Sequence, residues 1–169
     1  TGTGRYTGTL DVKFTISRLS ISKASAKLSY TKATYSGNLK KPTAAVKLDG
    51  KTLKSGSDYT IVYKNNRNAG TATATIKGKN NYSGSVKKTF KIQRKSIVKF
   101  SAKLSYTFTG YDGSAKKPKV TVKGRFGGSM KTLLNKGTVG SSKVKISYKD
   151  NTSTGKATVT ITGKGNYTG

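Results

Sequence analysis

The sequence has no cysteine, histidine, tryptophan or glutamate, and its only acids are Asp11, Asp49, Asp58, Asp112 and Asp150. Each absence removes a class of chemistry. Without Cys there is no disulfide framework, although this alone does not place the chain in the cytosol. Without His or Cys no ordinary catalytic triad or thiolate nucleophile can be assembled. With no Glu, and Asp falling mostly in turn-like stretches, a carboxylate pair for glycoside hydrolysis is disfavoured. Zinc wants Cys or His, and calcium wants about six to eight oxygens with several carboxylates, so no metal or cofactor is expected. A Ser–Lys dyad survives this filter, but so many Ser and Lys residues make their adjacency uninformative. The chain reads as non-enzymatic. No run approaches the roughly 18 apolar residues of a spanning helix, so membrane insertion is not expected.

What remains is strongly basic. Lys and Arg total 34, for a formal net charge of +29. Well-behaved small domains carry a net charge of about 2–8, so self-repulsion and attraction to polyanions both follow. Leu, Ile, Val and Phe make up slightly less than a fifth of the residues, close to the composition at which charged chains stay unfolded. Folding must therefore rest on pattern.

The pattern is a repeat. GTGRYTG (Gly2 to Gly8) recurs as GKNNYSG (Gly78 to Gly84) and GKGNYTG (Gly163 to Gly169). SAKLSY at Ser25–Tyr30 returns unchanged at Ser101–Tyr106, an offset of 76 residues, and Tyr35, Gly37 and Lys40-Lys41-Pro42 map onto Tyr111, Gly113 and Lys116-Lys117-Pro118. The offset then becomes 85, matching Ile61-Val62-Tyr63-Lys64 to Ile146-Ser147-Tyr148-Lys149. The nine added residues lie around GRFGGSM and NKGTVGSS, where the glycines predict loops. Asp58-Tyr59 has no counterpart, its place being taken by Ser142-Lys143-Val144. Such a register does not arise by chance.

Each copy reads as strands. Thr71–Ile76 and Ala157–Ile161 alternate small or apolar residues with Thr, the period of a half-buried strand. NNRNAG (Asn65–Gly70) and DNTSTG (Asp150–Gly155) predict turns that accept positive φ. No helical stripe is visible. The fold class expected is all-β, two small sandwich-like repeats of five or six strands, with a β-grasp-like arrangement as the lesser alternative. The expected domains are 1–17, the closing strand of a preceding repeat; 18–93, a complete repeat; and 94–169, a repeat with a loop insertion. TLDVKFTI (Thr9–Ile16) is a copy of SVKKTFKI (Ser85–Ile92), which closes the first repeat; residues 94–169 contain no such strand. Two readings stay open: a window from a longer array, or head-to-tail completion in which Thr9–Ile16 of one chain closes the last repeat of the next. In either case Thr9–Ile16, with Leu10, Val12, Phe14 and Ile16 on one face, is expected to be paired in a sheet.

The string LKSGSDYTIVYKNNRNAGTATATIKGKNNYSGSVKKTFKI (Leu53–Ile92) resembles the tandem repeats of large Gram-positive surface and secreted proteins. That resemblance implies an Ig-like, non-catalytic stalk or adhesin module at the cell surface or cell wall, with neighbouring repeats or subunits as partners. It implies no ligand.

Candidate functional residues are few. The Gly-x-Gly pieces (Gly2/Gly4, Gly163/Gly165) precede strands and recur at turns, so a phosphate loop is not expected. Recurring tyrosines (Tyr6, Tyr82, Tyr167; Tyr35, Tyr111; Tyr63, Tyr148) are read as packing corners with backbone-bonded hydroxyls; Phe108 and Phe126, outside the pattern, are the better ligand candidates. An intramolecular Lys–Asn isopeptide bond would need a buried acid, and only Asp11 sits on an expected strand. The densest basic clusters, Lys40, Lys41, Lys87, Lys88, Lys116, Lys117 and Lys119, are the polyanion-binding candidates, for teichoic acid, acidic glycan or non-specific nucleic acid. Sequence-specific nucleic-acid reading is not expected from a chain with five Arg and no recognition helix.

Overall fold

A computed structural model describes residues 4–126 and 128–169; Gly2, Thr3 and Gly127 of the motifs above lie outside them. Every regular element among the described residues is a β-strand. In the first repeat these are β1 (Leu19–Ser20), β2 (Ser25–Leu28), β3 (Lys32–Thr34), β4 (Ala44–Leu48), β5 (Lys51–Leu53), β6 (Tyr59–Lys64), β7 (Gly70–Gly78), β8 (Tyr82–Ser83) and β9 (Ser85–Gln93). In the second they are β10 (Lys95–Ser96), β11 (Ser101–Leu104), β12 (Val120–Phe126), β13 (Ser129–Gly137), β14 (Val144–Lys149), β15 (Thr158–Gly163) and β16 (Tyr167–Thr168). The protein is all-β, with several small sheets consistent with sandwich architecture.

Two of the three sheets in each repeat correspond strand for strand. Orders β2-β4-β5 and β11-β12-β13 match, and parallel β1-β8 matches parallel β10-β16. β3-β9-β7-β6 is matched only by β14-β15. The turns repeat bond by bond as well. Leu19 N donates to Asn81 O at 2.9 Å and Lys95 N to Asn166 O at 2.9 Å; Gly78 N reaches Gly84 O and Gly163 N reaches Gly169 O. A Cβ at Gly78 would stand 2.7 Å from Ser83 O, and one at Gly163 2.5 Å from Thr168 N. Only glycine lets the Tyr-Ser/Thr-Gly turn fold that closely onto the strand before it. Asn65 (φ 58°) and Asp150 (φ 56°) take positive φ in the expected hairpins.

Two compact units divide the chain: Thr1–Lys27 with Ala44–Val62 and Thr75–Lys87, and Leu28–Thr43 with Tyr63–Ala74 and Lys88–Gly169. The division passes through the first repeat rather than along the 93/94 boundary. In the first unit Ile21, Val46, Leu53, Tyr59, Ile76 and Tyr82 form the core. Val120, Val122, Phe126, Leu133, Val144 and Tyr167 form that of the second, with Tyr35 packed against it. Tyr35 meets Tyr167 edge-on at 5.5 Å, and Asn166 Oδ1 accepts from Ala69 N at 2.7 Å, so one end of the first repeat is built into the second unit.

Two expectations need correction here. Within GRFGGSM, Arg125, Phe126, Ser129 and Met130 are not loop residues but extend the β12–β13 ladder. Gly124 can sit in that strand because the Phe100 ring occupies the space beside it. Phe126 is therefore core and not a ligand contact, 8% exposed and edge-on to Phe100 at 5.6 Å. Thr9–Ile16 is not a paired strand in this chain. Leu10, Val12, Phe14 and Ile16 are 80–86% exposed: β9 fills the place between β3 and β7, and the segment does not fold back onto β15. Asp11 is exposed with them and cannot be the buried acid of an isopeptide bond.

Candidate functional site

The site follows from the one place where the repeats differ in topology. In the first repeat β9 lies between β3 and β7. Its parallel register against β3 pairs Lys32 with Lys91, Ala33 with Ile92 and Thr34 with Gln93. Lys91 N donates to Thr31 O and Tyr35 N to Gln93 O, both at 2.8 Å. Alternation puts Phe90 and Ile92 inward, 2% and 1% exposed, and Phe90 meets Tyr30 edge-on at 6.0 Å.

In the second repeat the equivalents of β3 and β7 face an open groove of about 530 Å³ lined by Tyr106, Phe108, Tyr111, Ala157 and Val159 among others. Phe108, Thr109 and Gly110, which replace β3, form no strand, and Phe108 is exposed. Among the described residues β15 pairs with β14 on one side and with no strand on the other. Burial records the consequence. Ala72, Ala74 and Ile76 on β7 are fully buried, whereas Ala157 is exposed and Val159 and Ile161 are half-buried.

The groove is anchored by clamps that both repeats share. Asn66 Nδ2 donates to Lys40 O at 2.7 Å and Asn151 Nδ2 to Lys116 O at 2.8 Å. Tyr63 Oη donates to Pro42 O at 2.6 Å, and Tyr148 Oη to Pro118 O at 2.8 Å. These bonds support the packing-corner reading for that pair of tyrosines. Burial, and then the neighbouring Tyr106, raises the pKa of Tyr148. Tyr82 and Tyr167 are buried as expected, but Tyr6 and Tyr111 are exposed.

The basic candidates divide by what they touch. Lys40 and Lys116 are half-buried: Lys40 Nζ donates to Ser36 Oγ at 2.8 Å, and Lys116 pairs with Asp112. Together Lys116 and Ser114 hold the exposed Asp112 carboxyl well below the usual carboxylate range. Lys41, Lys87, Lys88, Lys117 and Lys119 are exposed. Of the groove residues, the sequence marked Phe108 as a ligand candidate, Tyr111 and Tyr148 as packing corners and Lys116 as a polyanion-binding candidate, but did not bring them together. The signal that pointed to them was the absence, in residues 94–169, of a copy of Ser85–Ile92. No family model matches this chain, and no curated protein or solved structure matches it.

Proposed function

We propose that this chain is a non-catalytic segment of tandem Ig-like repeats from the surface or secreted proteins of a Gram-positive bacterium, serving as stalk or adhesin. The observation that carries the reading is the direct contact, within the second unit, between residues of the two repeats. The Asn68–Ala69 turn of the first is held by Asn166 of the second, and Tyr35 sits against Tyr167. A stalk needs such fixed junctions, because a flexible linker transmits neither reach nor orientation. Antibody raised against the chain is expected to label intact cells of the source bacterium. Labelling only after lysis would overturn the reading.

A second reading, retention on an anionic cell-wall polymer or acidic glycan, is favoured by the imbalance of surface charge. Among the described residues only Lys116–Asp112 and Lys149–Asp150 form ion pairs. Most Lys side chains thus keep their charge uncompensated, which suits diffuse contact with phosphates or carboxylates. Co-sedimentation with purified cell walls is expected to fall steeply as salt rises; salt-independent co-sedimentation would exclude it.

A further inference from the structure

We infer that Lys95, Lys131 and Tyr35 form a binding site for a phosphate group of a phosphodiester polymer, placed over the Phe126 ring where residues 35–37 meet Lys131 of β13. The inference rests on the reading of retention on an anionic polymer, and it gives that reading one place and one chemistry.

Lys95 Nζ lies 6.0 Å and Lys131 Nζ 5.7 Å from the centroid of the Phe126 ring. Lys131 stands opposite Gly124 on the β12–β13 ladder, two pairs from Phe126 and on the same side of it. Among the described residues neither ammonium meets a carboxylate, the ion pairs being Lys116–Asp112 and Lys149–Asp150. A ring attracts an ammonium but leaves its charge unneutralised. Two like charges are therefore gathered at one ring with no counter-charge of the chain's own. Tyr35 supplies a neutral donor beside them. A Cβ at Gly37 would stand 3.8 Å from Lys131 Nζ and 4.0 Å from Tyr35 Oη, so both polar atoms reach the same point. Burial first, then the charge and the hydrogen bond of Tyr35, keep the proton on the Tyr167 hydroxyl. Tyr167 is thus the donor of that pair, and the Tyr35 O–H is left for an outside acceptor.

The donors favour phosphate. Two ammoniums and a phenol act as separate point donors and suit the spread oxygens of a tetrahedral phosphate, whereas a planar carboxylate is best gripped by the fork of an Arg. A nucleic acid would bring the same phosphates together with bases that need a free aromatic face. Phe126 is 8% exposed and offers none. The first repeat lacks the arrangement. There β4 ends at Leu48 and turns through Asp49 and Gly50, both at positive φ, where β12 runs on to Phe126. Leu19 stands where the second repeat has Lys95, and it is exposed although β9 follows β8 there. That position therefore faces solvent in a repeat whose closing strand is in place. Gly113, the counterpart of Gly37, has nothing within 4 Å of its Cβ position.

The test is titration calorimetry of the full chain with a soluble glycerol phosphate polymer at several salt concentrations. Unmodified protein is expected to bind, with log affinity falling linearly against log salt. K95Q/K131Q is expected to lose at least about tenfold in affinity at 0.1 M salt, and about one unit of salt slope for each lysine. K87Q/K88Q removes the same charge from exposed lysines of β9 and is expected to bind nearly as the unmodified chain does. Tyr35→Phe keeps the ring and the charge, so it should weaken binding several-fold and leave the slope unchanged. Equal losses in the two lysine double variants, unchanged affinity in Tyr35→Phe, or tighter binding of a single-stranded DNA of equal charge would overturn the inference. Salt-dependent retention on cell walls that persists alongside such a result would leave the polyanion reading intact and remove only this site.

Discussion

The first repeat carries β1 to β9 and the second only β10 to β16, and the two strands without counterparts, β3 and β9, are partners of one another. Residues 108–110 have no strand to pair with and remain irregular; β15, exposed along one edge, begins at Thr158, whereas β7 begins at Gly70, three residues earlier in register. Where no counterpart of β9 lies alongside, the counterpart of β3 is irregular and that of β7 is shorter. A strand keeps its form when its backbone groups are paired and its apolar face is covered, and propensity alone supplies neither.

The largest expected effect tests this comparison directly. Phe90→Ala should cost about 3–5 kcal/mol in denaturant unfolding, the usual loss for a buried Phe. Phe14→Ala, the aligned change at an exposed position, should stay within about 0.5 kcal/mol in dilute solution. Equal costs would mean that Thr9–Ile16 is packed on something in the single chain.

A smaller effect probes how the two cores differ. Ala24 and Leu48 in the first repeat align with Phe100 and Gly124 in the second, a large side chain having moved from one partner to the other. Gly124→Leu alone is expected to destabilise by about 1–3 kcal/mol through overpacking against Phe100, and Phe100→Ala in the same chain should recover most of it. Additive losses in the double variant would show that the two sites are not coupled.

Alkaline pH should act on the second unit. Burial, and then the neighbouring Tyr35, push the Tyr167 hydroxyl up to about 12. The folded state therefore favours the neutral phenol. Its contribution is complete below the ordinary tyrosine value of about 10 and is lost as pH rises through about 12. Tyr167→Phe should flatten that part of the stability profile; an unchanged slope would assign the loss to other groups.

The smallest effect is expected from salt. The Debye length falls from about 30 Å at 0.01 M to about 10 Å at 0.1 M, and a chain with so few acids should gain a few degrees in melting temperature over that range. A flat or falling curve would mean that its Lys side chains are spaced widely enough not to repel.

Much of the fold was legible because it depends on local chemistry. Alternation in Thr71–Ile76 marked a strand, Asn65 and Asp150 marked positive-φ turns, and the two offsets brought equivalent hydrogen bonds into register. The loop expected at GRFGGSM became a hairpin because Phe100, far from it in sequence, fills the space that Gly124 leaves. Phe126 lay outside the repeat pattern, and its burial depends on Phe100 and Tyr167, partners no local window contains. Lys40 and Lys116 belonged to runs that looked alike along their length, yet their backbones are clamped by Asn66 and Asn151 while Lys41 and Lys117 face solvent.

The sequence by itself determined the all-β class and the repeat with its register, since turn residues, period-two alternation and aligned motifs are written residue by residue. Only the tertiary structure decided which apolar faces are covered. Ser85–Ile92 and Thr9–Ile16 carry nearly the same pattern, but one lies between β3 and β7 with Phe90 and Ile92 buried, and the other pairs with no strand among the described residues and stays exposed. A strand's pattern states what it can cover; whether an edge is free to receive it is a property of all the other strands together.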